Sequence, residues 1–199
     1  MAPKLPGGNA FTAISRVGFA ETAAAVAALA AAFASIVLVP GIEGWLGAGL
    51  GLLMLAIATV DFRYLIIPNE LSAAALVLAI VDTWLAAVQL PESLAIGALR
   101  GAATMFFFWM LRWLYSRLRG REGLGLGDVK LAFVAGAWLD WTMIPIAIEI
   151  AALAALAVYI LSHIFGPRPL DMTSRLPLGV FLAPSIWLAW LLGKLLFFA

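Results

Sequence analysis

Apolar residues along this chain fall into seven long runs separated by short polar segments, at about 19–39, 44–61, 71–89, 93–114, 128–141, 143–165 and 177–198. A helix needs about 20 apolar residues to cross a hydrocarbon layer roughly 30 Å thick, and most of these runs are close to that length. They predict an all-α fold, a polytopic transmembrane helical bundle of about seven spans, with six to eight as the range. The fifth run is short for a full crossing, as a tilted or partly re-entrant segment would be. Ala32-Phe33-Ala34 has the small-x-small form of a signal-peptidase site. The apolar run continues through Ile36-Val37-Leu38-Val39, however, so it reads as a retained first span. No long linker, low-complexity tract or internal repeat divides the chain. Residues 1–199 therefore read as a single integral membrane domain, with the informative motifs within 15–190.

Composition agrees with the pattern. Hydrophobic residues make up 65% of the chain and charged residues 12%, with a mean hydropathy of +1.08, well outside the range of water-soluble domains. The formal net charge of +1 is silent on nucleic acid, but the chain has no dense basic stripe of the kind nucleic-acid binders show, so no nucleic-acid partner is expected. The chain has no cysteine, which excludes disulfides, thiol catalysis, iron–sulfur clusters and Cys-ligated zinc. A single histidine, His163, argues against a His-built metal site, so neither metal nor cofactor is expected.

The polar segments alternate in charge. Lys4 and Arg16 precede the first run, and Arg63 follows the second. Arg112, Arg117, Arg119 and Arg121 cluster after the fourth, and Arg168 and Arg175 separate the sixth and seventh. The alternate segments carry Glu43, Glu92 and Asp140 and no Lys or Arg, while Lys194 lies near the far end of the seventh run. The positive-inside rule then predicts a cytoplasmic N-terminus and cytoplasmic basic loops. Trp45, Trp84, Trp113, Trp138 and Trp141 fall near predicted span ends, where an aromatic belt is expected.

Two aspartates sit where apolar runs meet these basic segments: Asp61 at the end of the second run and Asp128 at the start of the fifth. Alternation places both at one membrane face. Either alone reads as an interfacial charge or a helix cap; together they form a candidate site. Carboxylates held close together share a proton, so one can act as general base on a water while the other, protonated, polarises a carbonyl. Gly123, Gly125 and Gly127 are expected to permit backbone conformations and a close approach that side chains forbid. Asp128 begins a helix, where the macrodipole favours its charged form, and Arg63 would favour the charged form of Asp61. Ile67-Pro68-Asn69 reads as a turn, with Asn69 placed to cap the next helix.

These two motifs resemble those of the type IV prepilin peptidases, membrane aspartic proteases with a Gly-x-Gly-Asp signature. One motif is carried by Asp61, Arg63, Ile67, Pro68 and Asn69, the other by Gly125, Gly127, Asp128, Lys130 and Leu131, continuing through Ala135-Gly136-Ala137-Trp138. The resemblance implies that Asp61 and Asp128 are a catalytic dyad in an aspartic endopeptidase, a hydrolase of the bacterial or archaeal inner (cytoplasmic) membrane. It would remove the short basic leader of prepilins or pseudopilins at the cytoplasmic face, and type IV pilus or protein secretion machinery would be its wider partner. Gly125, Gly127, Arg63, Lys130, Pro68 and Asn69 would shape the site, and Glu21, Glu70 and Glu122 would attract the basic leader. Arg117, Arg119 and Arg121 would repel it and read as topology determinants. Longer family members carry a cysteine-rich, zinc-binding region and methylate the new terminus; without cysteine, this chain is expected to be a short, peptidase-only form. Leu176-Pro177-Leu178-Gly179-Val180-Phe181 is loosely similar to a Pro-Phe-Gly-Pro stretch of those members.

Presenilin-type proteases also use Gly-x-Gly-Asp, but they place both aspartates deep within spans and carry a Pro-Ala-Leu element not found here. Asp82, Arg100 and Glu149 lie within runs, where charges need partners. At 1.5 Å per residue, Asp82 and Arg100 reach similar depths. They predict an ion pair between the third and fourth spans, with Glu149 as a third member. The competing class uses these same residues in a small membrane transporter or a non-catalytic pilus or secretion assembly subunit.

Overall fold

The computed structural model describes residues 9–86, 89–120, 123–165 and 177–197, with side chains described from Thr22 to Leu196. Among them the chain is all helical: α1 (Asn9–Leu38), α2 (Ile42–Tyr64), α3 (Asn69–Ala86), α4 (Leu90–Arg119), α5 (Leu126–Trp138), α6 (Met143–Phe165) and α7 (Gly179–Phe197). Five of these, α2, α3, α4, α6 and α7, are long and apolar enough to cross a membrane, and α1 is apolar from Thr22 to Leu38. This is a multi-pass membrane protein.

Local chemistry sets the helix ends. After α1 the backbone turns at Gly41 with φ of 89°, a conformation open to a residue without Cβ. Pro91 occupies the first turn of α4, where no intrahelical N–H is needed. Gly120 ends that helix in the left-handed region, its N–H donating to the Ser116 carbonyl at 2.9 Å. Buried hydroxyls are satisfied by carbonyls three or four residues back: Ser35 donates to the Ala31 carbonyl, Ser72 to Pro68 just before α3, Thr104 to Arg100 and Ser185 to Leu182.

Helices α2 and α7 form the centre, each with 44% of its apolar window buried against 17% for α3, α4 and α6. Helix α2 packs on α1, α3 and α7, while α7 also packs on α6 and α5. Their contact is close because the Trp190 and Trp187 side chains lie over Gly47 and Gly51, one turn apart on α2; a Cβ at 47 would collide with Trp190, and one at 51 would press on Trp187 at 3.0 Å. The outward faces of α1, α4 and α6 expose large apolar side chains such as Phe33, Leu99, Phe106 and Leu153, as lipid contact requires.

Helix α5 is short, as the fifth run predicts. It has 13 residues, about 20 Å of rise, which is short of the hydrocarbon thickness. Its apolar character comes from enclosure by α3, α4 and α7 rather than from lipid. Val129, Leu131, Ala132, Val134 and Ala135 are all buried. Trp138 at its end is buried as well, and its indole N–H donates to the Ala75 carbonyl of α3 at 2.9 Å. Trp138 therefore does not join the aromatic belt, whereas Trp45, Trp84, Trp113 and Trp141 are exposed. Helices α4 and α5 touch backbone to backbone at Gly136: a Cβ there would fall 2.6 Å from the Arg100 carbonyl carbon and 2.7 Å from Gly101 Cα.

Candidate active site

Three helix ends meet at one face of the bundle. Asp61 begins the last turn of α2, Asp128 lies in the first turn of α5, and Gly179 and Val180 open α7. Both aspartates are buried, at 5% and 8% exposure, yet both line one cleft of about 530 Å³. The cleft is also bounded by Ile67, Pro68, Asn69 and Glu70 from the first motif and by Gly125, Gly127 and Lys130 from the second. Leu65, Ile66 and Leu126 form an apolar rim, each more than half exposed.

The aspartates are held by backbone donors. Asp61 Oδ2 accepts the N–H of Val180 at 3.1 Å, and the Gly179 N–H also faces this carboxyl. The positive end of the α7 dipole is thereby directed at Asp61. Asp128 is the third residue of α5, and its Oδ2 accepts the N–H of Gly125, the residue before the helix, at 3.1 Å. This is one half of a capping box; the reciprocal half needs a side chain that glycine lacks. The Asp128 carboxyl stands at about 6: burial raises it most, the Gly125 N–H draws it down, the Asp61 charge raises it and the Gly179 N–H lowers it. The Gly179 amide thus acts on both carboxyls.

The glycines serve space rather than dihedral freedom. Positive φ among the described glycines is confined to Gly41 and Gly120, and Gly125 is ordinarily extended at φ −72°, contrary to the conformational role expected for Gly123, Gly125 and Gly127. What they supply is closeness. A Cβ on Gly127 would lie 3.0 Å from Ile67 Cβ, and one on Gly179 would lie 2.7 Å from Asp61 Oδ2 and 3.0 Å from Ile67 Cδ1. The buried Ile67 side chain is thus wedged between the start of α5 and the start of α7. Leu65 is the one described non-glycine residue at positive φ, 56°, and its N–H closes α2 on the Asp61 carbonyl at 2.9 Å.

Polar bonds between helices fix the loops. Lys130 Nζ donates to Asn69 Oδ1 at 2.8 Å, joining the second motif to the first. Asn69 opens α3, but its amide oxygen serves Lys130 rather than the helix cap expected of it. The Arg112 guanidinium donates to the Leu124 carbonyl and holds the glycine loop against α4. Arg63 is exposed in the last turn of α2, outside the residues lining the cleft. Glu70 lies at the cleft; Glu122 and the side chain of Glu21 are outside the described residues.

The predicted Asp82–Arg100 ion pair does not form. The Arg100 guanidinium pairs instead with Asp140, which the turn between α5 and α6 brings to it, and Lys194 pairs with Glu43 at 2.7 Å. Asp82 and Arg100 do line one cavity, at the opposite end of the bundle from Asp61 and Asp128. Glu149 lines a separate one with Thr104 and Trp141, so it is not a third member. Sequence reasoning missed Gly179 and Val180 as site residues, although a Pro-x-Gly step before an apolar run marks a helix start that can present N–H groups.

A model described as the type IV leader peptidase family matches residues 48–160, more than half the chain and inclusive of both aspartate motifs. A prepilin leader peptidase/N-methyltransferase of Burkholderia pseudomallei (strain 1026b) is 35% identical over 136 residues, covering 68% of this chain and 42% of the relative. Proteins of the same name match from Pectobacterium carotovorum subsp. carotovorum, 29% identical over 150 residues (75% and 52%), and from Dichelobacter nodosus, 33% over 140 residues (70% and 46%). The chain spans about half the length of these curated relatives. No solved structure gives a significant match.

Proposed function

The chain belongs to the type IV leader peptidase family, and we propose that within it this protein is an aspartic endopeptidase that removes the basic leader of a prepilin or pseudopilin at the cytoplasmic face of the inner membrane. The observation that carries the reading is the single cleft onto which the buried Asp61 and Asp128 both open. Its apolar rim of Leu65, Ile66 and Leu126 suits a substrate whose hydrophobic helix begins just beyond the scissile bond. Glu70 beside the dyad suits a positively charged leader. The basic loops at this end favour a cytoplasmic site by the positive-inside rule.

In the reaction, one carboxylate takes a proton from a water as its oxygen attacks the scissile carbonyl carbon. The other carboxyl, protonated, donates a hydrogen bond to the carbonyl oxygen and stabilises the charge developing there. Collapse of the tetrahedral intermediate breaks the C–N bond, and the proton gained by the base passes to the departing amine. One water is consumed, and a carboxylate and an amine are formed. A carboxyl at about 6 on Asp128 allows the pair to hold one proton near neutral pH. The relatives' name also includes methyl transfer; the cleft supports hydrolysis, and the proposal is confined to it.

The test is to co-express the chain with a prepilin-like substrate and follow leader removal by gel shift and N-terminal sequencing. The expected result is one new N-terminus immediately before the apolar helix. An unprocessed substrate across several pilin and pseudopilin classes would refute the reading.

A further inference from the structure

The polar cavity at the other end of the bundle contains an unusual set of unsatisfied groups. It measures about 320 Å³ and is lined by Asp82, Arg100, Asp140, Trp190 and Lys194 among others. Three buried polar atoms without a hydrogen-bond partner belong to residues that line it: Asp82 Oδ1, Arg100 Nε and Trp190 Nε1. Trp190 is 4% exposed. Two other tryptophans of the bundle satisfy their indole N–H groups, Trp138 on the Ala75 carbonyl and Trp187 on Ser35 Oγ. An orphaned buried donor or acceptor is costly, so three at one cavity point to something that binds there.

The chemistry of the lining narrows what that is. A bare cation would satisfy Asp82 but oppose the Arg100 and Trp190 N–H donors. A bare anion would satisfy those donors but oppose Asp82 and Asp140. A group that carries both an anionic oxygen and an ammonium satisfies both sets.

A second cavity indicates what such a group is attached to. An apolar groove of about 350 Å³ lies between α3 and α4, lined by Leu76, Ile80, Leu94 and Phe133 among others. It shares the wall residues Thr83 and Ala137 with the polar cavity, so the two adjoin. From the polar cavity it runs back along α3 towards the middle of the bundle, the direction an acyl chain takes from its headgroup. The side chain of Asp140 is 67% exposed and marks the open rim of the polar cavity.

We propose that this is a binding site for a zwitterionic phospholipid with a primary amine, of the phosphatidylethanolamine class, in the leaflet opposite the two catalytic carboxylates. The phosphate lies against Arg100 and the Trp190 indole N–H, the ammonium against Asp82, and one acyl chain in the groove. The site does not depend on the peptidase reading.

The protein, purified in mild detergent, would be titrated with phosphatidylethanolamine, phosphatidylcholine and phosphatidylglycerol of identical acyl chains, and with soluble phosphoethanolamine. Bound lipid would be counted by native mass spectrometry and its effect read as a thermal shift. One ethanolamine lipid is expected to be retained about tenfold more tightly than either competitor, since choline lacks the ammonium N–H donors and glycerol the positive charge. Asp82→Asn is expected to abolish that preference, and Trp190→Phe to weaken binding of all phosphate-bearing lipids. Leu94→Trp, which fills the groove, is expected to weaken lipid binding while leaving soluble phosphoethanolamine unaffected. Equal retention of the three lipids by the wild type would overturn the proposal whether or not the variants fold. So would soluble phosphoethanolamine binding as tightly as the lipid, which would make the occupant a soluble zwitterion. Failure of every ligand to bind would leave water as the occupant and overturn it too.

Discussion

Gly179 provides the sharpest test of how the site is built. Its amide and that of Val180 point at Asp61, and the approach is so close that a Cβ at 179 would sit 2.7 Å from Asp61 Oδ2 and 3.0 Å from Ile67 Cδ1. An ordinary carbon–oxygen contact needs several tenths of an ångström more, and the neighbour on the far side is the buried Ile67. In Gly179→Ala the start of α7 must therefore withdraw, stretching the Val180 N–H bond to Asp61. A hydrogen bond to a charged group contributes about 1.5–3 kcal/mol. If that much is lost from the reacting geometry, kcat falls by about 10- to 150-fold. The accompanying strain costs about 1–3 kcal/mol of stability, measurable as a lower melting temperature without loss of the fold. The assay is leader-peptide cleavage by purified protein in proteoliposomes, with kcat and KM separated. Leu178→Ala, which retains every backbone donor, should stay within about twofold of wild type in kcat. A well-folded Gly179→Ala protein with wild-type kcat would refute the argument that the α7 terminus positions Asp61.

Further outcomes follow from the same geometry. Because burial raises the Asp128 carboxyl to about 6, the folded state binds a proton more tightly than the unfolded one. Wild-type stability should then fall as pH rises from about 4 to about 6 and level off above. Asp128→Asn should remove that slope and gain up to about 3 kcal/mol at pH 7, with no gain at pH 4, as read by thermal unfolding across pH. The Lys130–Asn69 bond joins the two motifs, so Lys130→Met and Asn69→Ala should show a coupling of about 0.5–1 kcal/mol in a double-mutant cycle on stability. Gly136→Val places carbon against the Arg100 and Gly101 backbone of α4 and should cost about 3 kcal/mol or more, seen as low yield and loss of a cooperative transition.

Much of this architecture was legible in the sequence because lipid imposes a simple rule. Backbone polar groups must be satisfied internally, so apolar runs become helices and polar breaks become turns. All seven runs correspond to helices, and the breaks at 61–69 and 123–128 place Asp61 and Asp128 together. Composition alone did not separate enclosure by protein from enclosure by lipid, since both select apolar residues. That is why α5 reads as a short span although it is packed among α3, α4 and α7. Pairing was also illegible. Equal depth brought Asp82 and Arg100 to one cavity, as expected, but side-chain direction and the α5–α6 turn gave Arg100 to Asp140. The role of Gly179 was hidden because its function belongs to a backbone amide, for which no residue type is diagnostic.

The central claim is that Asp61 and Asp128, and not the charges at the opposite end of the bundle, perform the chemistry. The most direct measurement is the cleavage rate of a prepilin-like substrate by reconstituted wild type, Asp61→Asn, Asp128→Asn and Asp82→Asn, each confirmed to be folded. Each of the first two variants is expected to lose at least about a thousandfold in rate, and the third less than about fivefold. Cleavage that survives in either Asp61→Asn or Asp128→Asn, or that disappears only in Asp82→Asn, would contradict that claim.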